Sequence, residues 1–305
     1  MIDTTKGLTK SQPIIFKLYR YAVDFLQPTK PQNRNYITFS DIHRHVRLEF
    51  RKSVFHGKVI GFHHLEIIIS AHHLFNDHLH NANDFSPSDC VETLKNVFQK
   101  LKFSPEELKE IKVVNIEFGI NIILTSPIES IINGIIYTKK TPFILNAAEY
   151  DKISASTNYK LIKAYAKGLQ EKIRKLGFDR NTFRFEVKSK EHEKIKGWKI
   201  YTFQDLLIEK KYNLFFQTII DEWDYVLMIN DLKHDNYNTK DFWEALKNPD
   251  VGRDIFADEK EKFYKSLEKK ENQHWLIKVQ IIDKMVQLSN PQIGLVKNSC
   301  LEQMK

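Results

Sequence analysis

Cysteine, glycine, proline and long apolar runs are all scarce in this sequence of 305 residues. The two cysteines, Cys90 and Cys300, are too few for a disulfide framework or a cysteine-rich zinc site, which favours a reducing, cytoplasmic setting. Ten glycines and nine prolines exclude a collagen-like chain and a long disordered region. No apolar run is long enough to span a bilayer, and the first ten residues lack the apolar stretch of a signal peptide, so we expect no membrane association.

Two glycine-rich patterns that bind nucleotides are also missing. The chain contains neither GxGxxG nor GxxxxGK followed by Ser or Thr. Such loops hold phosphates with backbone N–H groups at the start of a helix. Their absence argues against a dinucleotide-binding enzyme and against a P-loop enzyme.

Positive charge is present in excess but is unevenly distributed. The whole chain has a net charge of +8, and residues 151–200 alone contain 14 Lys and Arg against 6 Asp and Glu. Residues 201–305 contain 15 basic and 18 acidic residues. A local basic excess attracts polyanions, of which nucleic acid is the commonest, although a solvated lysine face would give the same composition.

Local patterns predict several strands with a few helices between them. Alternating or β-branched segments predict strands over 34–55, 58–70, 111–124 and 181–189. Ser-Pro pairs predict helices over 87–101 and 128–137, because the serine can cap a helix and proline suits its first position. Residues 14–26 and 159–167 fit a strand or a short helix equally well. Residues 71–85 resemble a loop or strand end, and residues 139–158 a polar loop.

This order of elements predicts an α+β fold, in which an antiparallel β-sheet has helices packed on it. From Thr202 the pattern becomes mostly helical up to about Leu288. We therefore predict a sheet-based catalytic domain over residues 1–200 and a helical C-terminal domain over residues 201–305.

Histidine is concentrated in one short part of the sequence. Nine of the twelve histidines lie between His43 and His80. His78 and His80 are separated by one hydrophobic residue, and on an extended backbone both side chains would point to the same side and could bind one cation. A polar loop that contains histidines by chance is the alternative.

Two strands contain charged residues that could take part in chemistry. Glu117 lies inside the apolar segment NIEFGINI, where a carboxylate is costly to bury unless it is paired or binds a metal. In FRFEVK, Glu186 could complete a metal site and Arg184 could hold a phosphate. The alternatives are a half-solvated sheet face and a cross-strand ion pair.

A tyrosine within the basic stretch could act as a nucleophile. Tyr165 lies in KLIKAYAKGLQEK, and on an extended backbone Lys163 and Lys167 would share its side. Tyrosine can form covalent intermediates, and the two lysines would stabilise the charge that develops on a phosphate. A packing role is the ordinary explanation for a single tyrosine.

Taken in order, these motifs resemble those of rolling-circle replication initiators of the filamentous-phage gene-two protein type, which belong to the HUH endonuclease class. The resemblance covers roughly residues 58–200 and preserves the order of the motifs. The matching segments are LEIIISAHHLFNDHLHNANDF, VVNIEFGINI, KLIKAYAKGLQEK and FRFEVK.

The resemblance implies an enzyme that nicks single-stranded DNA at a replication origin and thereby starts rolling-circle replication of a phage or plasmid. Its tyrosine would form a 5′-phosphotyrosine in a site that contains Mg²⁺ or Mn²⁺, and the free 3′-OH would prime synthesis. A host helicase or polymerase could bind the helical C-terminal region. The implied residues are catalytic Tyr165, Lys163 and Lys167, metal-binding His78, His80, Glu117 and Glu186, and DNA-binding Arg184, Lys160 and Lys188.

The sequence also departs from the family pattern. The acid that often follows the tyrosine is Ala166, and the Arg-Ile-Asp strand has Asn115 and Glu117. A histidine, either His72 or His73, replaces the lysine of the turn, so the metal ligands could be His78 with His80, or His80 with one of these two. Two other functions stay open: a non-catalytic DNA-binding regulator and a phosphodiesterase that uses water. If Tyr165 is not the nucleophile, Tyr159 is the next candidate.

Overall fold

The structure is a computed structural model, and it describes residues 1–139, 141–146, 151–157, 160–228 and 272–290, with isolated residues between 245 and 265. The chain divides into two compact units. The first comprises Met1–Asn81, Phe85–Phe118 and Ser189–Leu214; the second comprises the described residues of Ala82–Asp84, Gly119–Lys188 and Phe215–Lys305. The boundary predicted at residue 200 stays a prediction.

The first unit is built on an antiparallel sheet. Its strands are β1 (Ile2–Thr9), β2 (Gln27–Thr29), β3 (Tyr36–Ser40), β4 (Val46–Phe55), β5 (Lys58–Ile69) and the first part of β6 (Lys112–Ile123). They pair in the order β2-β3-β4-β5-β1-β6, and every pair is antiparallel. Its helices are α1 (Gln12–Phe25), α2 (Ala71–Phe75), α3 (Pro87–Lys100), α4 (Pro105–Lys109) and α7 (His192–Lys196), and 3₁₀ turns cover Phe203–Leu207 and Glu209–Lys211.

Helix α1 resolves a segment for which the sequence left strand and helix open. Its apolar residues recur every three to four positions, so that Ile14, Ile15, Leu18 and Ala22 are all buried. The helix packs against β3, β4 and β5. Burying one such side chain stabilises the fold by about 1.5–3 kcal/mol, so this stripe fixes the helix on the sheet.

Capping determines where α3 and α4 begin. The Ser86 hydroxyl accepts the backbone N–H of Asp89, whose carboxylate accepts the backbone N–H of Ser86. Ser104 and Glu107 form the same reciprocal pair at the start of α4. The helix predicted after Ser86 is confirmed.

The second unit also combines strands with helices. Its strands are the rest of β6, β7 (Ile135–Thr138), β8 (Thr141–Pro142), β9 (Ile144–Asn146), β10 (Asp151–Thr157), β11 (Lys160–Ala166), β12 (Thr182–Ser189) and β13 (Val226–Met228). The main sheet has the order β6-β12-β11-β10-β9, and a smaller antiparallel sheet has the order β13-β7-β8. Its helices are α5 (Ile128–Gly134), α6 (Glu171–Lys175), α8 (Tyr212–Trp223), which begins in the first unit, and α9 (Gln273–Ser289), and a 3₁₀ turn covers Lys167–Leu169.

Two predictions for the second unit were wrong. The helix expected over 128–137 ends at Gly134, because Ile135–Thr138 pairs with β13 and the ladder outweighs local helix propensity. Within the polar loop expected over 139–158, the structure contains β8, β9 and β10. The segment DKISAST is polar, yet it pairs along β11, and cross-strand contacts of this kind are not visible in local composition.

A tryptophan–histidine pair joins α8 to α9. The indole N–H of Trp223 donates to the carbonyl of His274 at 3.1 Å, and the His274 Nε2 lies 2.8 Å from the carbonyl oxygen of Trp223. Their rings stack with centroids 5.4 Å apart. Both residues are buried, and the two contacts give their side-chain nitrogens hydrogen-bond partners inside the protein.

The predicted α+β fold is confirmed, with helices packed on an antiparallel sheet and a C-terminal part that is mostly helical where it is described. Among the described residues, no helix combines the length and the apolar character needed to cross a membrane.

The half-buried carboxylate of Asp205, in the first unit, leads to a prediction about stability. Asp205 accepts the backbone N–H groups of Tyr201 and Thr202 and pairs with Lys211 at 2.5 Å. Burial alone would raise the pKa of Asp205, but Lys211 and the two N–H donors outweigh it and hold the pKa below its usual value. We expect Asp205→Asn to lower the free energy of unfolding by about 1–2 kcal/mol at pH 7, measured by urea denaturation.

The effect should depend on pH with a definite sign. A depressed folded-state pKa adds stability above the unfolded-state value of about 4, and this stability is lost as the pH falls through the folded-state pKa. The wild type and Asp205→Asn should therefore converge on acidification. Asp221→Asn makes the same change at an exposed side chain and should have little effect at any pH. Equal stability of all three proteins at pH 7 would contradict the prediction.

Candidate active site

The side chain of Tyr165 is held by a buried carboxylate in the second unit. Tyr165 lies near the end of β11 and is only 7% exposed. Its hydroxyl donates to the Oε1 of Glu186 on β12 at 2.8 Å. The bond is fully buried, so the hydroxyl has a fixed direction and a base within proton-transfer distance.

Glu186 is surrounded by cationic donors. The Nε of Arg184 donates to the same oxygen, and the Nζ of Lys163 lies 3.2 Å from the other. The Nη1 of Arg184 donates to the side-chain oxygen of Asn121 on β6 at 2.9 Å. Two cations compensate the charge of a carboxylate that is 1% exposed, which would otherwise be costly to bury. The result is a rigid polar network around the hydroxyl of Tyr165.

Close approach of β6 and β12 depends on a glycine. A Cβ atom at Gly119 would lie 2.6 Å from the carbonyl oxygen of Phe185 and 2.7 Å from the Cγ of Glu186. Real Cβ atoms are not found at such distances, so glycine at this position lets Glu186 lie against the neighbouring strand.

The polar face predicted for β12 exists but is not solvated. Phe183, Phe185 and Val187 are buried, and the two Phe rings pack edge-on against Trp223. Arg184 and Glu186, on the opposite face, are equally buried. The alternative of a solvated face was wrong, because the strand lies between sheet neighbours that bring their own polar side chains to it.

The lysines predicted for the site have different surroundings. Lys167 is buried, with its Nζ 5.8 Å from the centre of the Tyr165 ring. Lys160 pairs with Glu222 on α8, which is also 3.1 Å from the Nζ of Lys139. Burial lowers the pKa of Lys160, and the neighbouring Glu222 partly offsets this.

The three residues predicted to contact DNA differ in exposure and in their partners. Lys188 and Lys160 are both half-buried, and Lys160 is paired with Glu222, whereas Arg184 is fully buried. The arrangement of Arg184 suits the positioning of Glu186 rather than a direct phosphate contact. Tyr159 lies outside the described residues.

The first unit contains two carboxylates that could bind a metal ion. Carboxylate oxygens of Asp3 on β1 and Glu117 on β6 lie within 4.8 Å of one another. The side-chain amide of Asn81 donates to Asp3 at 2.9 Å, and the Nδ1 of His72 lies 3.9 Å from the same oxygen. His72 is 1% exposed and its ring stacks on Phe85. Carboxylate oxygens together with an imidazole nitrogen are a ligand set that a divalent cation can use.

Sequence reasoning missed Asp3. A register shift between Ile2 and Thr4 interrupts the pairing of β1 with β6, and such bulges redirect side chains. The signal available in the sequence was an acid beside the apolar start of an alternating strand, IDTTKGLT.

The extended backbone assumed for His78 and His80 was wrong. Residues 76–79 form a turn, in which Asp77 and His78 have positive φ values of 49° and 69°. The ring of His78 stacks on His43 at 4.2 Å, and its Nδ1 lies 3.8 Å from Asp41. The carbonyl of His80 accepts a hydrogen bond from Asn76. It is His72, the alternative ligand, that lies beside Asp3.

Comparisons with known proteins give a weak structural match and no sequence match. No protein-family model matches the chain, and no curated protein matches it. Among solved structures, it is similar to a rolling circle replication initiator protein from Geobacillus stearothermophilus, with 8% identity over 68% of this chain and 78% of that chain and a TM-score of 0.37. At this level of similarity the match carries no functional argument.

Proposed function

We propose that the protein is a tyrosine nickase that cleaves single-stranded DNA at a replication origin and starts rolling-circle replication. The observation that supports this most directly is the buried hydrogen bond from the hydroxyl of Tyr165 to Glu186. A nucleophilic tyrosine needs a base within hydrogen-bond reach and fixed geometry, and Glu186 meets both requirements.

In the proposed step, the hydroxyl oxygen of Tyr165 attacks the scissile phosphorus and its proton passes to Glu186. The bond from phosphorus to the 3′ oxygen breaks, and that oxygen takes up a proton to become the free 3′-OH. The product is a 5′-phosphotyrosine, and the reverse reaction rejoins the strand. The positive charges of Lys163 and Lys167 would stabilise the charge that develops on the phosphate.

The residues of the first unit fit a divalent cation. Asp3 and Glu117 would supply oxygen ligands and His72 a nitrogen, a mixed set that suits Mn²⁺ or Mg²⁺. When bound, such a cation supplies Lewis-acid stabilisation of a phosphate. His80 and His78 stay sequence-based candidates, and Glu186 is better explained as the partner of Tyr165.

Metal binding by these acids can be tested without any DNA. We expect the double variant Asp3→Asn, Glu117→Gln to bind Mn²⁺ at least about tenfold more weakly than the wild type, because both negative ligands are lost. Isothermal titration of the metal-free protein measures this directly. Asp221→Asn together with Glu193→Gln removes the same charges at exposed positions and should leave the affinity unchanged. Equal Mn²⁺ affinity in all three proteins would place the metal elsewhere.

The nickase proposal itself is tested by looking for a covalent adduct. The protein would be incubated with Mn²⁺ and a 3′-labelled, single-stranded oligonucleotide library of random sequence, then run on a denaturing gel. A 5′-phosphotyrosine keeps the 3′ label on the protein, and EDTA should abolish this band. Cleavage without a labelled protein would favour a phosphodiesterase that uses water. Binding without cleavage would favour the DNA-binding regulator.

The remaining parts of the proposal concern partners. The basic residues between 151 and 200, including Lys188, would track the DNA backbone. The helical C-terminal region stays the predicted contact for a host helicase or polymerase.

A further inference from the structure

Two strands of the first unit extend beyond their neighbours. The pairing of β3 with β4 ends at Arg51, and the pairing of β1 with β5 begins at Leu65. Beyond these points β4 and β5 continue to pair with each other up to the opposed residues Phe55 and Lys58. We call residues 53–61 the β4–β5 ribbon. It contains three opposed residue pairs, which at about 3.3 Å per residue project roughly 10 Å.

The ribbon has a fixed shape. His56 and Gly57 form its two-residue turn, with φ values of 47° and 75°. Positive φ at both positions matches the twist of a hairpin, and Gly61, with a φ of 155°, lies at a register shift. At its base Phe62 packs against Tyr19 and Phe50, which anchors the ribbon to α1 and the sheet.

The ribbon exposes large apolar side chains. Val54 is 57% exposed, Phe55 61%, Val59 49% and Ile60 68%. Several exposed apolar side chains at the end of a projecting element are unfavourable in water and are typical of a surface that binds a partner.

Charge identifies the chemistry of that partner. From Phe50 to Leu65 the chain contains Arg51, Lys52 and Lys58 and no acidic residue. The exposed loop before β3 adds Arg34, whose carbonyl accepts a hydrogen bond from the Nζ of Lys52. Cations flank the apolar tip at its base and Lys58 lies at the tip itself, so the surface is complementary to a polyanion that also offers apolar contacts.

Double-stranded DNA fits these features. Its major groove, about 12 Å wide, admits a two-stranded β-ribbon, with phosphates on both walls and base edges and thymine methyl groups on the floor. We propose that the β4–β5 ribbon binds duplex DNA by entering a groove, with Lys58 and Arg51 on phosphates and Phe55 against the bases. This contact is additional to the proposed nicking of single strands and does not depend on Tyr165 or a metal.

The test uses the full chain and a tip variant, Phe55→Ser together with Lys58→Glu. Fluorescence anisotropy in EDTA would measure affinity for a labelled DNA duplex and for one of its separated strands. We expect the tip variant to bind the duplex at least about tenfold more weakly, with a smaller salt dependence, and to bind the single strand as the wild type does. Because EDTA removes the cation, the result is independent of whether the protein is a nickase.

A matched control is Val23→Ser together with Lys95→Glu, which makes the same kinds of change at exposed positions on α1 and α3. It should bind the duplex like the wild type. The proposal is overturned if the wild type does not bind duplex DNA, or if the tip variant binds it unchanged. It is also overturned if both variants lose affinity equally. Cosedimentation with phosphatidylglycerol vesicles that only the tip variant loses, with duplex binding intact, would assign the ribbon to a lipid surface instead.

Discussion

Replacing Tyr165 with phenylalanine should abolish the covalent protein–DNA adduct, with a loss of about 10⁴-fold or more in its rate of formation, as is found when an enzyme loses its nucleophile. The ring of phenylalanine fills the same space, and the site is only 7% exposed, so packing should be retained. What is lost is the attacking oxygen and its hydrogen bond to Glu186. Arg184 and Lys163 still compensate the carboxylate, so we expect stability to fall by only about 1 kcal/mol.

The measurement is the denaturing-gel assay with 3′-labelled DNA and Mn²⁺. Tyr212→Phe is a matched control, because Tyr212 is also a buried tyrosine and its hydroxyl donates to the Leu206 carbonyl at 2.8 Å. That variant should form the adduct at close to the wild-type rate. An adduct that persists in Tyr165→Phe would keep the enzyme class but move the nucleophile, and Tyr159 would be examined next.

The parts of this fold that could be predicted from the sequence are those set by local chemistry. Ser86 and Pro87 mark the start of α3 because capping and the fixed φ of proline act within one turn. The β-branched segment that contains Glu117 is a strand, because its residues favour a pleated surface and lie between helices.

The parts that were missed depend on distant residues. Arg184 and Glu186 alternate with phenylalanines, which is the pattern of a half-solvated strand. Their burial follows from Asn121 and Tyr165, which come from other strands and make a polar network possible inside the sheet. Asp3 required a bulge in strand pairing, which no local pattern encodes.

The geometry of His78 and His80 also could not be predicted from the sequence, here because of the local backbone conformation. His78 and His80 share a side only if the backbone is extended, and two consecutive residues with positive φ remove that condition. Aspartate and histidine adopt this conformation more readily than most residues, so the sequence permitted the turn without specifying it.

Replacing Arg184 with methionine should lower the free energy of unfolding by about 3–5 kcal/mol, which is the range found when one partner of a buried ion pair is removed. Arg184 is fully buried and binds both Glu186 and Asn121. Without it, Glu186 loses the cation that shares its Oε1 with Tyr165, and Asn121 loses a donor. Urea denaturation at pH 7 would measure the change. Arg180→Met, at an exposed pair with Glu129, should change stability by less than about 1 kcal/mol.

A double variant separates the loss of the ion pair from the loss of packing. In Arg184→Met combined with Glu186→Leu, no charge is left buried without its main partner, so most of the lost stability should return. If the double variant is less stable than Arg184→Met alone, the single effect came from packing and the arginine does not compensate the carboxylate. We expect the double variant to regain stability but not to form the covalent adduct. Its apolar side chains remove the unpaired buried charge, but they also remove the carboxylate that receives the proton of Tyr165.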